Sequence, residues 1–216
     1  MIFQRLEYLF GLENLEKLNN AKVAVIGLGG VGGITAISLA RSGVGNIIIC
    51  DYDVVDITNI NRQIIANIKN IGRLKTDVLE EMILEINPNC KVTKISQKVN
   101  DSLFLENPNF IIDCIDDIKS KKYLIEQCLT RKIKFISSMG AAKKVDPSKI
   151  AVVKLSKTSY DPIAKILRNH FKNNDFYVVS STEKPAEIDV LGSYMNVVST
   201  FGLFLSDYII KCIIRR

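Results

Sequence analysis

The chain has 216 residues, a net charge of +6, 47% hydrophobic residues and 24% charged ones; this suits one α/β domain with a full core, or one domain with a small appendage. Residues 1–18 carry acids and no continuous apolar stretch ahead of a small-residue cleavage site, which reads against a signal peptide. The five cysteines (50, 90, 114, 128 and 212) form no Cys-x-x-Cys, which excludes the usual spacing of a structural zinc site and fits a reducing cytoplasm.

Residues 1–20 read as an N-terminal helical arm, 21–140 as the core, and 141–216 as substrate-side and dimer-interface elements of the same domain. AKVAVIGL (21–28) reads as a buried strand, followed by a small-residue helix over 33–43 that Gly43 ends. NIIIC (46–50) is a second strand. A helix is predicted from Lys75 to Ile86, stopping before Pro88. Strands follow over 91–96 and 109–114, then a helix over 120–132 and a strand over 133–139. Beyond Gly140 the pattern predicts a strand over 150–155 and a helix over 161–172, capped by Asp161 with Pro162 at its first position. A further strand is expected over 176–181 and a helix over 192–214. Asn196, Asp207 and Lys211 interrupt that last stretch, so it reads as a core or interface helix and not as a membrane span. Strands separated by helical segments imply a doubly wound, mostly parallel sheet, with ligands at the carboxyl ends of its strands.

The first strand runs into Gly27-Leu-Gly29-Gly30-Val-Gly32, a Gly-x-Gly-x-x-Gly turn between strand and helix. Gly27 permits the tight turn, Gly29 lets backbone approach phosphate, and Gly32 allows close helix–strand packing. The helix N-terminus offers free N–H groups to an anion. Asp51 follows the second strand at the usual distance for a carboxylate that hydrogen-bonds a ribose hydroxyl. To this point NAD and ATP both fit. Arg62 and Lys75 favour ATP, because displacement at phosphorus moves charge onto phosphate oxygens. Asp116-Asp117 follows the fourth strand, where a carboxylate can hold Mg²⁺.

The set Gly27–Gly32, Asp51-x-Asp53, Asn59-x-x-Arg62-Gln63, Lys75 and Asp113-Cys-x-Asp116 resembles the ubiquitin-activating-enzyme-like adenylating superfamily of Rossmann-like folds, the ThiF/MoeB type. The resemblance implies that Asp51 binds the ribose and that Asp53 belongs to the same nucleotide site. It gives Asn59, Arg62 and Lys75 to the phosphates, with Gln63 helping to position them, and Asp116 to Mg²⁺. It further implies a homodimer in which Arg5 reaches the neighbouring site.

The second half lacks the cysteine that a thioester relay needs: there is none between Leu129 and Lys211. It resembles instead the tRNA threonylcarbamoyladenosine dehydratases, through Ile136-Ser-Ser-Met-Gly140-Ala-Ala, Asp146-Pro147, the run from Leu155 to Arg168, Tyr177–Pro185 and Ser193–Phe204. That resemblance implies ATP-dependent ring closure of threonylcarbamoyladenosine beside the anticodon through an acyl-adenylate. It also implies a monovalent cation (K⁺ or Na⁺) and a cysteine desulfurase or sulfur-acceptor system as a partner. The alternatives are an adenylyltransferase for a ubiquitin-like or sulfur-carrier protein and an NAD-dependent oxidoreductase. Charge placement favours a polyanion. Residues 118–172 hold 14 Lys/Arg against three acids, a net +11, while the rest of the chain nets −5. Lys143, Lys144, Lys157, Lys165 and Arg168 are therefore candidate tRNA contacts. The sole histidine, His170, reads as a surface or packing residue.

Overall fold

The structure is a computed structural model and describes residues 2–215. Two short helices, α1 (Gln4–Phe10) and α2 (Leu12–Asn20), precede β1 (Lys22–Ile26). There follow α3 (Gly30–Arg41), β2 (Asn46–Cys50), α4 (Lys75–Ile86), β3 (Lys91–Ile95), the single turn α5 (Ser102–Leu105) and β4 (Phe110–Asp113). The second half comprises α6 (Ile118–Thr130), β5 (Lys134–Ser138), β6 (Ile150–Lys154), α7 (Pro162–His170), β7 (Tyr177–Ser181) and α8 (Met195–Ile214). All seven strands lie in one sheet of order β3-β2-β1-β4-β5-β7-β6. Every neighbouring pair is parallel except β6–β7, so the antiparallel strand sits at an edge. The chain winds outward from β1 in one direction and from β4 in the other. The carboxyl ends of β1 and β4 therefore flank the crevice where the winding reverses.

Local chemistry sets most boundaries. Val23–Ile26, Ile47–Cys50 and Phe110–Asp113 are buried continuously, as strands covered on both faces require. Asp117 accepts the Ser120 backbone N–H at 2.9 Å and starts α6. Asp161 does the same for Ala164 at 2.9 Å and starts α7 at Pro162. Gly43, with φ +80°, ends the turn after α3. The helix expected from residue 33 begins at Gly30, because the glycines of the turn themselves form its first turn.

Helices cover both faces of the sheet. On one face α3, α4 and α8 pack over Val23, Val25, Ile47, Ile49 and Ile112. On the other α5, α6 and α7 cover Ala24, Ile26, Ile48 and Ile111. α8 is long and apolar enough to span a bilayer by length and composition. Here its face of Val197, Val198, Phe201, Leu205 and Ile209 is buried against the core. α3 and α8 meet closely at Gly202, where a Cβ would lie 2.3 Å from Ile34 Cγ2 and 2.6 Å from the Val31 carbonyl oxygen. Gly202→Ala is therefore expected to destabilise the protein by about 2 kcal/mol and to lower Tm by about 4–8 °C. Calorimetry checks this, and an unchanged Tm would mean that the two helices do not approach so closely.

Candidate functional site

A cleft of about 1130 Å³ opens at the carboxyl ends of the parallel strands. The glycine turn, the segment after β2, the turn after β4, the Ser138–Ala142 loop and residues Leu191–Ser193 line it. Its floor is the turn leaving β1. Gly27 has φ +86°, and a Cβ there would sit 2.8 Å from the Cys114 carbonyl oxygen. At Gly32 a Cβ would stand 1.7 Å from the Gly27 carbonyl oxygen, so only glycine lets α3 start this close to β1. Gly29 faces open space, with only Gln63 Nε2 within 4 Å of where its Cβ would be. The backbone is bare where a phosphate would approach.

Asp51 is 8% exposed and holds this turn to the next. Its Oδ2 accepts the Leu28 N–H at 2.6 Å and its Oδ1 accepts the Asp53 N–H at 2.8 Å. Asp53 in turn holds Lys75, which is 5% exposed, through a 2.8 Å ion pair between Oδ2 and Nζ. Asp53 thus holds a buried ammonium in the lining of the cleft. Asn59 is buried, and its Oδ1 accepts the Asp56 N–H at 3.2 Å in a reciprocal capping box. Gln63 is also buried beside the turn, and its Oε1 has no hydrogen-bond partner. Arg62 donates from one terminal nitrogen to the Thr58 carbonyl at 2.6 Å and to Asn61 Oδ1 at 3.1 Å. Gly27, Gly29, Gly30, Asp51, Asp53, Asn59, Arg62, Gln63, Lys75 and Asp116 all line the one cleft, and Gly32 lies just beneath it.

Charges of both signs line the cleft: Arg62, Lys75 and Lys98 among the cations, and Asp53, Asp116 and Asp117 among the acids. The Tyr52 hydroxyl is pushed above its usual range, first by Asp53, then by burial, then by Asp116, Asp51 and Asp117. The carboxylates gathered here can meet a divalent cation, with Lys98, its Nζ 5.1 Å from the Tyr52 ring centroid, partly balancing them. Asp117 is occupied in capping α6, which leaves Asp116, exposed in the cleft, as the available ligand. One carboxylate beside phosphate oxygens is how Mg²⁺ is commonly held. Burial pushes the cleft thiols of Cys50 and Cys114 up to about 12, helped at Cys50 by Asp51 and at Cys114 by Asp113, which favours the protonated form near neutral pH.

Several expected residues lie elsewhere. Arg5 is exposed on α1, outside the cleft lining. Lys144 is a correction. It is 3% exposed, and its Nζ donates to the Gly140 carbonyl at 2.8 Å and faces Asp161 Oδ2 at 3.5 Å, so it offers nothing to an external phosphate. Asp161 also accepts the Gly140 N–H at 2.9 Å while capping α7, and a buried carboxylate with these duties needs a buried cation. Arg168 is half-buried and donates to the Thr158 carbonyl and hydroxyl. Lys143 donates to the Ile188 carbonyl and, through its backbone N–H, to the Gly192 carbonyl at 2.9 Å, tying down the border of the cleft. Lys157 and Lys165 are exposed. His170, half-exposed, lies with Nε2 2.6 Å from Glu126 Oε1. Asn61, whose Nδ2 donates to the Ser193 carbonyl at 3.1 Å, and Lys121, which anchors the Asp113 turn, were not among the predicted site residues. The hydrophilic character of both positions was visible, but not their direction.

A glycine turn under a cleft that also gathers Asp51, Arg62, Lys75 and Asp116 at the switch point of the sheet defines a nucleotide-binding α/β protein. The chain belongs to the ThiF family, whose model matches residues 3–216, and within it to the tRNA threonylcarbamoyladenosine dehydratases. It is 42% identical over 194 residues to the dehydratase of that name from Bacillus subtilis, covering 86% of this chain and 76% of that protein. The Escherichia coli dehydratase is 38% identical over 162 residues, 73% of this chain and 60% of that protein. A crystal structure of the E. coli enzyme in complex with ATP superposes with a TM-score of 0.94 at 33% identity, covering 99% of this chain and 93% of that one.

Asp51→Asn replaces one acceptor oxygen by a donor that faces a backbone N–H. ATP affinity is expected to fall about tenfold or more, at least ~1.4 kcal/mol, by calorimetry. Wild-type affinity would mean that Asp51 does not order the turn.

Proposed function

We propose that this protein is an ATP-dependent dehydratase that cyclises threonylcarbamoyladenosine next to the tRNA anticodon. One observation carries the reading. A buried lysine, Lys75, is held by Asp53 in the cleft whose floor is a turn that only glycine can form, in a chain closely similar to dehydratases of that name. The whole chain serves as one adenylating domain, with 1–20 as an arm, 21–140 as the nucleotide core and 141–216 as the substrate side.

The substrate's free carboxylate attacks the α-phosphorus of ATP, forming an acyl–O–P bond as the bond to pyrophosphate breaks. The carbamoyl group of the same modification then attacks the acyl carbon and expels AMP, closing the ring with net loss of water. Tethering makes the second nucleophile intramolecular, so no thiol of the protein is required. Arg62 and Lys75 stabilise charge on phosphate oxygens as it develops. Asp51 orders the turn and the ribose side. Asn59 supports the Arg62 loop, and Gln63 supplies a buried amide beside Gly29. Mg²⁺, where bound, would be held by Asp116 and would neutralise phosphate charge. A monovalent cation and a sulfur-transfer partner belong to the same reading through the family. So does a homodimer: Ile2, Tyr8, Leu9 and Leu12 on the N-terminal arm are exposed apolar residues, and pairing there is the context in which Arg5 would reach a neighbour's nucleotide. A cytoplasmic location is consistent with the tRNA substrate. Lys157 and Lys165 supply the electrostatic contact with tRNA.

The direct test incubates the protein with ATP, Mg²⁺ and threonylcarbamoyl-modified tRNA and reads nucleoside mass for loss of one water, with a sulfur-carrier protein in parallel. Adenylation of the carrier with no change in tRNA would favour the adenylyltransferase reading instead. Arg62→Ala and Lys75→Ala are each expected to slow ring closure by roughly 100-fold or more with the fold retained; full activity in either would sink the phosphate assignment. Reversing charge at Lys157 and Lys165 together should weaken tRNA binding, spare ATP binding, and reduce the slope of log affinity against log salt by about 1–2. An unchanged slope would place the tRNA contacts elsewhere.

A further inference from the structure

Beneath the cleft lies a charged group that the chemistry above does not use. Lys121 on α6 and Asp113 at the end of β4 are both 0% exposed. Lys121 Nζ donates to Asp113 Oδ2 at 2.7 Å, to Ser137 Oγ at 3.2 Å and to the Ser138 carbonyl at 3.0 Å, which uses all three of its N–H groups. Asp113 Oδ2 also accepts the Ser137 hydroxyl at 2.6 Å, and Oδ1 accepts the Ile115 N–H at 3.0 Å. Asp113 and Ser137 are register partners on adjacent parallel strands, so the network ties the exits of β4 and β5 together.

Those exits are two walls of the cleft. The Ile115 bond sets the turn that carries Asp116, and the Ser138 bond sets the start of the loop running to Ala142. A buried ion pair is a poor way to gain stability, because desolvation offsets most of its attraction and well-packed apolar residues of similar volume often do as well. Stability alone therefore does not account for it. What the pair does provide is direction: two charged groups and a hydroxyl, every hydrogen bond made, allow one geometry of the two exits.

We infer that Lys121 and Asp113 are positioning residues that aim Asp116 at the divalent cation accompanying ATP and hold it at a set distance from the Ser138–Ala142 loop. The assignment rests on the functional reading above for the identity of the substrate. It does not need that reading for the cation and the nucleotide. Neither side chain touches substrate, and both act through the turn they anchor.

The test separates anchoring from stability. Lys121→Met combined with Asp113→Leu removes both charges together and leaves neither buried alone. The double variant is expected to unfold cooperatively at close to the wild-type Tm and to bind ATP in EDTA with wild-type affinity. The Mg²⁺ concentration giving the half-maximal change in ATP affinity, followed by calorimetry, should rise about tenfold or more, as for other residues that orient a metal ligand. The Mg²⁺ midpoint for tRNA-dependent pyrophosphate exchange should rise in parallel. Ser137→Ala keeps both charges and removes one bond, so it should show a smaller rise in the same direction; it carries the test if the double variant does not fold. Lys121→Arg, which keeps the charge, should lie nearer the wild type. A wild-type Mg²⁺ midpoint in the folded variants would overturn the positioning role. Absence of tRNA ring closure by the wild-type protein would overturn the functional reading instead, and the Mg²⁺ titration of ATP binding would still decide this one.

Discussion

The structure depends on the contact between the end of β1 and the start of α3. The Gly27 carbonyl oxygen occupies the space a side chain at Gly32 would need, with 1.7 Å between that oxygen and a hypothetical Cβ. Because α3 can start there, it lies flat on the sheet, and α8 packs on it through Gly202. Because the turn is tight, the bare backbone at Gly29 meets the cleft at the point where the winding of the sheet reverses. A methyl group at that position would lift the helix off the strand and move the floor of the cleft with it.

From that floor the cleft is assembled from strand exits. Each exit is held by a buried acid: Asp51 after β2, Asp113 at β4, and Asp161 against Gly140 after β5. Two of these acids answer to a buried lysine, Lys121 and Lys144, and a third lysine, Lys75, is held by the partly exposed Asp53. These buried charges are therefore concentrated at the carboxyl ends of the strands. The opposite ends of the strands have no comparable network among the described residues, which is why the chemistry is confined to one side of the fold.

The surface charge is deployed differently. The basic stretch reads in one dimension as a single block of +11, but folding distributes it over α6, β5, β6 and α7. Some of its members turn inward to neutralise buried acids, others brace loops, and Lys157 and Lys165 remain in solvent. Charge density along a chain is thus a poor guide to charge density on a face.

Much was legible in the sequence. Continuous apolar runs such as Asn46–Cys50, capping residues such as Asp161, and the spacing of Gly27, Gly29 and Gly32 each report a local requirement, so strands, helix starts and the nucleotide turn follow from neighbours in the chain. The set of Asp51, Arg62, Lys75 and Asp116 was legible because strand ends in this topology converge. Three things depended on distant contacts: that Asp53 serves Lys75, that Lys144 points inward to Asp161, and that Lys121 pairs with Asp113 beneath the site. A lysine's sequence context does not state whether its ammonium meets water or a carboxylate brought from another strand. The sequence by itself determined the elements and the chemistry of the glycine turn. Only the tertiary structure decided which charges face a ligand and which hold the walls, because burial and pairing belong to the packed whole and not to any one segment.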